Sequence, residues 1–71
     1  MYKIVYKASF NEIETDKAET EEEIKEFLES RKLLTKHIGY PIREVGDGFD
    51  LFKSKESQVV VGHYRIVEDN D

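Results

Sequence analysis

The sequence predicts an α+β fold in which one amphipathic helix packs on a mainly antiparallel sheet of three to five strands. Three observations carry that expectation. A period-two run of aromatic and β-branched residues opens the chain, one long stretch of helical periodicity follows, and the remainder breaks into short apolar runs separated by turn residues. The implied order is β-α-β-β-β, with room for an extra strand before the helix. A single helix laid on one face of the sheet is the simplest way to bury the apolar side of both.

Residues 2–10, YKIVYKASF, alternate: Tyr2, Ile4, Tyr6, Ala8 and Phe10 point one way, and Lys3, Lys7 and Ser9 the other. This pattern describes a half-buried strand, with Val5 the one apolar residue on its polar side. Residues 11–15, NEIET, either extend the strand or pair with it after a turn near Ser9–Asn11. In the helix, Thr20 followed by Glu23 forms a capping box, and Glu21, Glu22 and Glu23 suit the positive end of the dipole. Asp16 with Glu19 offers an alternative start one turn earlier. Ile24, Phe27, Leu28, Arg31, Leu34 and Ile38 recur at helical spacing, and no Gly or Pro interrupts residues 18–38. Gly39 and Pro41 then stop the helix, with Lys36 and His37 near its negative end.

Beyond the helix, PIREV, Gly46-Asp47-Gly48 and FDLFK read as a hairpin. SKES at 54–57 makes the next turn, and QVVVGHYRIV is the longest strand. Gly62 within it marks a bulge or a close backbone approach. Either Val59 and Val61, or Val60, Tyr64 and Ile66, qualify as its buried face. Residues 68–71, EDND, read as a frayed acidic tail.

The chain has 71 residues and forms one domain, 1–71, near the lower size limit for independent folding. Hydrophobic residues make up 38%, enough for one modest core but not for a roomy catalytic cavity as well. Cysteine is absent, which excludes disulfides, thiolate chemistry and Cys-type zinc sites. A secreted domain this small would ordinarily carry such staples, so a cytoplasmic location is expected. No signal-peptide core and no apolar span of about 18 residues occurs, so a soluble chain with no membrane role is expected. The start, Met-Tyr-Lys running straight into a strand, points to a complete short gene product.

The net charge of −5 is unevenly placed. From Glu12 to Glu29, nine acids (Glu12, Glu14, Asp16, Glu19, Glu21, Glu22, Glu23, Glu26 and Glu29) face only Lys17 and Lys25, leaving −7. The tail repeats the sign with Glu68, Asp69 and Asp71, while residues 43–65 balance. On a helix, Glu22, Glu26 and Glu29 share one ridge opposite the Ile24/Phe27/Leu28 stripe. Their spacing gives about 6 and 4.5 Å of axial rise, on the scale of the roughly 3.4 Å between charges along a DNA strand. Lys25, Lys32 and Lys36 line a separate ridge, and Leu33 falls on the acidic crest as an exposed apolar residue. Such a face has two readings. It is either an ordinary solvated helix face with good capping chemistry, or a surface whose charge is its function.

Other chemistry is not signalled. His37 near a helix C-terminus and His63 within a strand suit dipole satisfaction and cross-strand packing, and neither belongs to an HExxH or calcium-loop pattern. Ser9, Ser30, Ser54 and Ser57 lie in no nucleophile-elbow context, and Gly46-Asp47-Gly48 is a turn instead of a phosphate loop. The exposed carboxylates lack the desolvation that acid–base work needs. Tyr2, Tyr6 and Phe10 could form a base-stacking platform, but their placement suits core packing and the nearby acid repels nucleic acid. The expectation is therefore no enzyme activity, no cofactor or metal, no small-molecule substrate and no direct nucleic-acid binding.

In size, charge, lack of cysteine and its Glu12–Glu29 cluster, the chain resembles the small acidic proteins that bacteriophages use in host takeover, some of which are DNA mimics. That resemblance implies a stoichiometric inhibitor acting in the host cytoplasm. Its target would be a basic DNA-binding host protein such as a histone-like nucleoid protein. The partner-binding residues would be Glu12, Glu14, Asp16, Glu19, Glu22, Glu23, Glu26, Glu29, Leu33, Glu68, Asp69 and Asp71. The alternative is a small regulatory module that binds another protein through a sheet edge or an apolar face.

Overall fold

A computed structural model describes residues 1–68. It contains β1 (Tyr2–Ala8), β2 (Asn11–Ala18), α1 (Glu21–Ile38), β3 (Ile42–Val45), β4 (Gly48–Phe52) and β5 (Val60–Glu68). The strands form one sheet in the order β2-β1-β5-β4-β3, and every neighbouring pair is antiparallel. The helix crosses one face of this sheet, so the predicted α+β architecture holds with the extra N-terminal strand present.

The first hairpin turns at Ser9 and Phe10, between the paired residues Ala8 and Asn11. Ser9 takes the left-handed conformation, φ 54°. Residues 11–15 therefore fold back and do not extend β1. Phe10 is fully exposed at the loop tip, not part of the buried face expected for it. Val5 corrects the sequence reading in the opposite sense. It faces away from the helix yet is buried, because its neighbours on the uncovered face are long side chains from β5 and β2.

Thr20, not Asp16, caps the helix. Its backbone is extended, its Oγ1 accepts from the Glu23 amide at 3.2 Å, and it donates to the Glu23 carboxylate at 3.1 Å. At the other end Gly39 adopts φ 111°, and the amides of Gly39 and Tyr40 close back on Thr35 and Lys36. The line that meets the sheet is Ile24, Leu28, Arg31 and Thr35. Phe27, Leu34 and Ile38, expected in the buried stripe, are 41%, 51% and 63% exposed. A lone helix on a sheet touches it along a narrow line, and these three lie to one side of that line.

The core gathers Ile4, Ala18 and Ile24, with Tyr2, Leu28, Tyr64 and Ile66 packed around them. Each fully buried side chain of this size contributes about 2 kcal/mol. Across three strands, Tyr6, Tyr64 and Phe49 form one aromatic row, with ring centres 4.8 and 4.9 Å apart. Gly62 serves that row: a Cβ there would lie 2.4 Å from the Tyr6 hydroxyl. A register shift falls beside it, leaving Val61 unpaired between Val60 and Gly62. The shift settles the face of β5. Tyr64 and Ile66 join the helix side, while Val59, Val60 and Val61 all stay exposed.

Candidate partner-binding surface

The carboxylates divide by what holds them. On the uncovered sheet face, strand pairing brings Arg43, Asp50 and Arg65 together from β3, β4 and β5. Asp50 is buried and accepts from Arg65 at 2.9 Å and from Arg43 at 3.3 Å. Burial pushes its carboxyl up, but the hydrogen bonds and charges of Arg65 and Arg43 outweigh this and hold it below the usual carboxylate range. Arg65 also donates to the Tyr64 carbonyl at 2.8 Å, and Arg43 lies 5.4 Å above the Phe52 ring. Chain spacing alone did not reveal this cluster. The one sequence signal is the single acid inside the apolar run FDLFK.

Several acids from the Glu12–Glu29 segment are held as well. Asp16 accepts from Arg31 of the helix at 2.9 Å, and that bond keeps Arg31 protonated above its ordinary range. Glu14 lies 3.4 Å from both Lys3 and Lys17. Glu21 pairs with Lys25 at 3.1 Å. Lys32 bridges Glu29, at 2.8 Å, to Glu44 across the gap to β3, and the two acids raise its pKa. Glu29 therefore leans off the helix crest toward the lysine ridge.

What remains on the outer helix face, and at Glu19 just before the helix, is distinct. Glu19, Glu22, Glu23 and Glu26 are all exposed, and among the described residues none has a cationic partner. Glu12 is likewise exposed and unpaired on β2. Leu33 lies within the helix between Glu22 and Glu26 in rotational position, 59% exposed. Glu68 ends β5 and is exposed, whereas Asp69 and Asp71 lie outside the described residues. The structure thus leaves Glu12, Glu19, Glu22, Glu23, Glu26 and Leu33 on the outside and engages Glu14, Asp16 and Glu29 internally.

Sequence reasoning missed a second exposed group. By helical spacing, Phe27, Leu34 and Ile38 lie exposed along the helix flank that carries Arg31, whose guanidinium reaches Asp16 of β2. Ile13, paired with Tyr6 on the helix side of β2, is 56% exposed, and Phe10 stands at the hairpin tip beyond it. The available signal was the lone apolar Ile13 in NEIETD, beside an edge that only the strand order reveals.

No three His, Asp or Glu side chains form a metal-holding group among the described residues, and no described helix is long and apolar enough to cross a membrane. The cleft between helix and second hairpin, about 330 Å³, is lined by both signs of charge, including Lys25, Glu29, Lys32, Glu44 and Asp47. No protein family, curated protein or solved structure matches the chain.

Proposed function

We propose that the chain is a non-enzymatic inhibitor that docks the outer face of α1 on a basic, DNA-binding protein and acts there as a DNA mimic. One observation carries this reading: Glu19, Glu22 and Glu26 stand exposed with no cationic partner among the described residues, while the acids around them hold a lysine or arginine or, at Glu23, the Thr20 cap. Repulsion between like charges this close offsets what Glu22 gains at the helix N-terminus, so folding gains little from them. Glu22 and Glu26 are separated by about 6 Å of helical rise, which suits a surface built to grip successive phosphates. A histone-like nucleoid protein is the kind of partner that presents such a surface, and the place of action is the bacterial cytoplasm.

Exposed charge pairs contribute only about 0.2–1 kcal/mol each, so affinity comes from several together with an apolar anchor. Leu33, on the same ridge two turns beyond Glu26, supplies that anchor. The test is capture from a bacterial lysate at low and high salt, with bound proteins identified by mass spectrometry. The expected result is a basic DNA-binding protein that is lost at high salt and displaced by duplex DNA. Recovery of no such protein, or of one retained at high salt, would contradict the proposal.

A further inference from the structure

We infer that the cleft between the start of β3 and the β4–β5 loop binds a small organic phosphate. The cleft has a volume of about 510 Å³, within the range of small-molecule sites, and Arg43 and Lys55 line it. No carboxylate does, although the chain carries 16 acids against 11 lysines and arginines. A second hollow adjoins it at Lys55, brings in Lys36 from the last turn of α1, and is likewise lined by no acid. Glu56, in the same loop, lines neither hollow. The cleft between helix and second hairpin, by contrast, mixes both signs of charge.

Antiparallel pairing is what collects these cations. It sets the end of α1, the start of β3, the end of β4 and the start of β5 at one end of the molecule. Glu19, Glu22 and Glu26 lie toward the other end of the helix.

The fold does not use up the donors around the cleft. Arg43 donates to Asp50 at 3.3 Å and is held 5.4 Å above the Phe52 ring, yet its side chain stays 65% exposed. Lys36 and Lys55 have no carboxylate partner among the described residues. The Ser57 hydroxyl accepts from the Val59 amide at 3.1 Å, which leaves its own proton to donate. Ser54 and Gln58 add a hydroxyl and an amide to the same lining. The Phe52 amide donates to the Pro41 carbonyl at 2.9 Å, which fixes the start of β3 against the end of β4.

These features select the ligand. Cations gathered without a carboxylate favour more than one negative charge, and a phosphate monoester carries about −1.5 to −2 near neutral pH. The planar guanidinium, the ammonium groups and the hydroxyls match its oxygens. Phe52 and Val60 give the cleft an apolar wall for the group that bears the phosphate. A long polyanion is disfavoured, because the acids elsewhere on the chain repel it.

The probe is phenyl phosphate, titrated into isotope-labelled protein to millimolar concentration and followed by NMR. Benzoate, inorganic phosphate and a duplex oligonucleotide are titrated in parallel at constant ionic strength. The expected result is saturable shifts of the amides of residues 54–58 and of the Arg43 side chain with phenyl phosphate, and weaker binding of the other three. Lys55→Gln, at an exposed loop site, is expected to weaken phenyl phosphate about threefold, and Lys36→Gln with Lys55→Gln about tenfold. Lys25→Gln removes the same charge from the other cleft and is expected to leave binding unchanged. Absence of shifts in the loop, or equal loss with Lys25→Gln and Lys55→Gln, would overturn the site. Binding of benzoate, inorganic phosphate or the oligonucleotide as tight as that of phenyl phosphate would overturn the ligand class.

Discussion

Asp50 and Glu26 are both carboxylates on the outside of a two-layer fold, yet they live in different physical worlds. Asp50 stands on the uncovered sheet face and is nevertheless buried, because Arg43 and Arg65 close over it from neighbouring strands. Glu26 stands on the outer helix face with water around it and no cation in reach among the described residues. Acidic residues on this protein are therefore not one population. The sheet acids, and Asp16 and Glu29 beside them, are used by the fold itself, whereas the crest acids are tolerated by it. That difference locates where charge is available to a partner.

The comparison can be broken most decisively at Asp50. Asp50→Ala leaves two arginines facing each other over a partly buried site, and we expect a loss of about 2–4 kcal/mol in denaturant unfolding. Because the Asp50 pKa is lowered in the folded state, its contribution is complete above the unfolded value, near pH 4. It is lost as pH falls further, through the folded value. Acid titration of stability should therefore steepen below about pH 4 in the wild type and lose that component in Asp50→Ala. A variant that unfolds like the wild type would show that the cluster is ornamental.

Asp16→Asn should have a smaller effect, about 1 kcal/mol, since the Arg31 bond ties helix to edge strand but is partly solvated. Smallest of all is the crest. Glu22→Gln with Glu26→Gln should shift stability by less than about 0.5 kcal/mol, because the repulsion relieved offsets the dipole interaction lost at Glu22. A clear loss of stability there would place the crest with the structural acids and erase the distinction.

Much of the fold was legible because its signals are local. The Thr20–Glu23 capping box and the Gly39 stop bound the helix as read, and Gly46-Asp47 makes a two-residue turn between the paired Val45 and Gly48. What was not legible depends on contacts distant in sequence. Arg43, Asp50 and Arg65 meet only through strand pairing. The unpaired Val61 shifts the phase of β5, so periodicity could not choose its buried face. Helical spacing placed Phe27, Leu34 and Ile38 in the core, but the width of the covered stripe depends on how the sheet meets the helix. For the surface, spacing found the Glu22/Glu26 crest and Leu33. It could not foresee that Lys32 draws Glu29 aside or that Arg31 claims Asp16.

The central claim is that the crest acids serve binding and not folding. Its most direct test is competition on a purified histone-like nucleoid protein carrying labelled duplex DNA, comparing the wild type with the Glu22→Lys, Glu26→Lys variant. We predict that the wild type displaces the DNA at low salt, and that the variant, checked to be folded, needs about tenfold more protein or more. Equal displacement by the two proteins, or none by either, would contradict it.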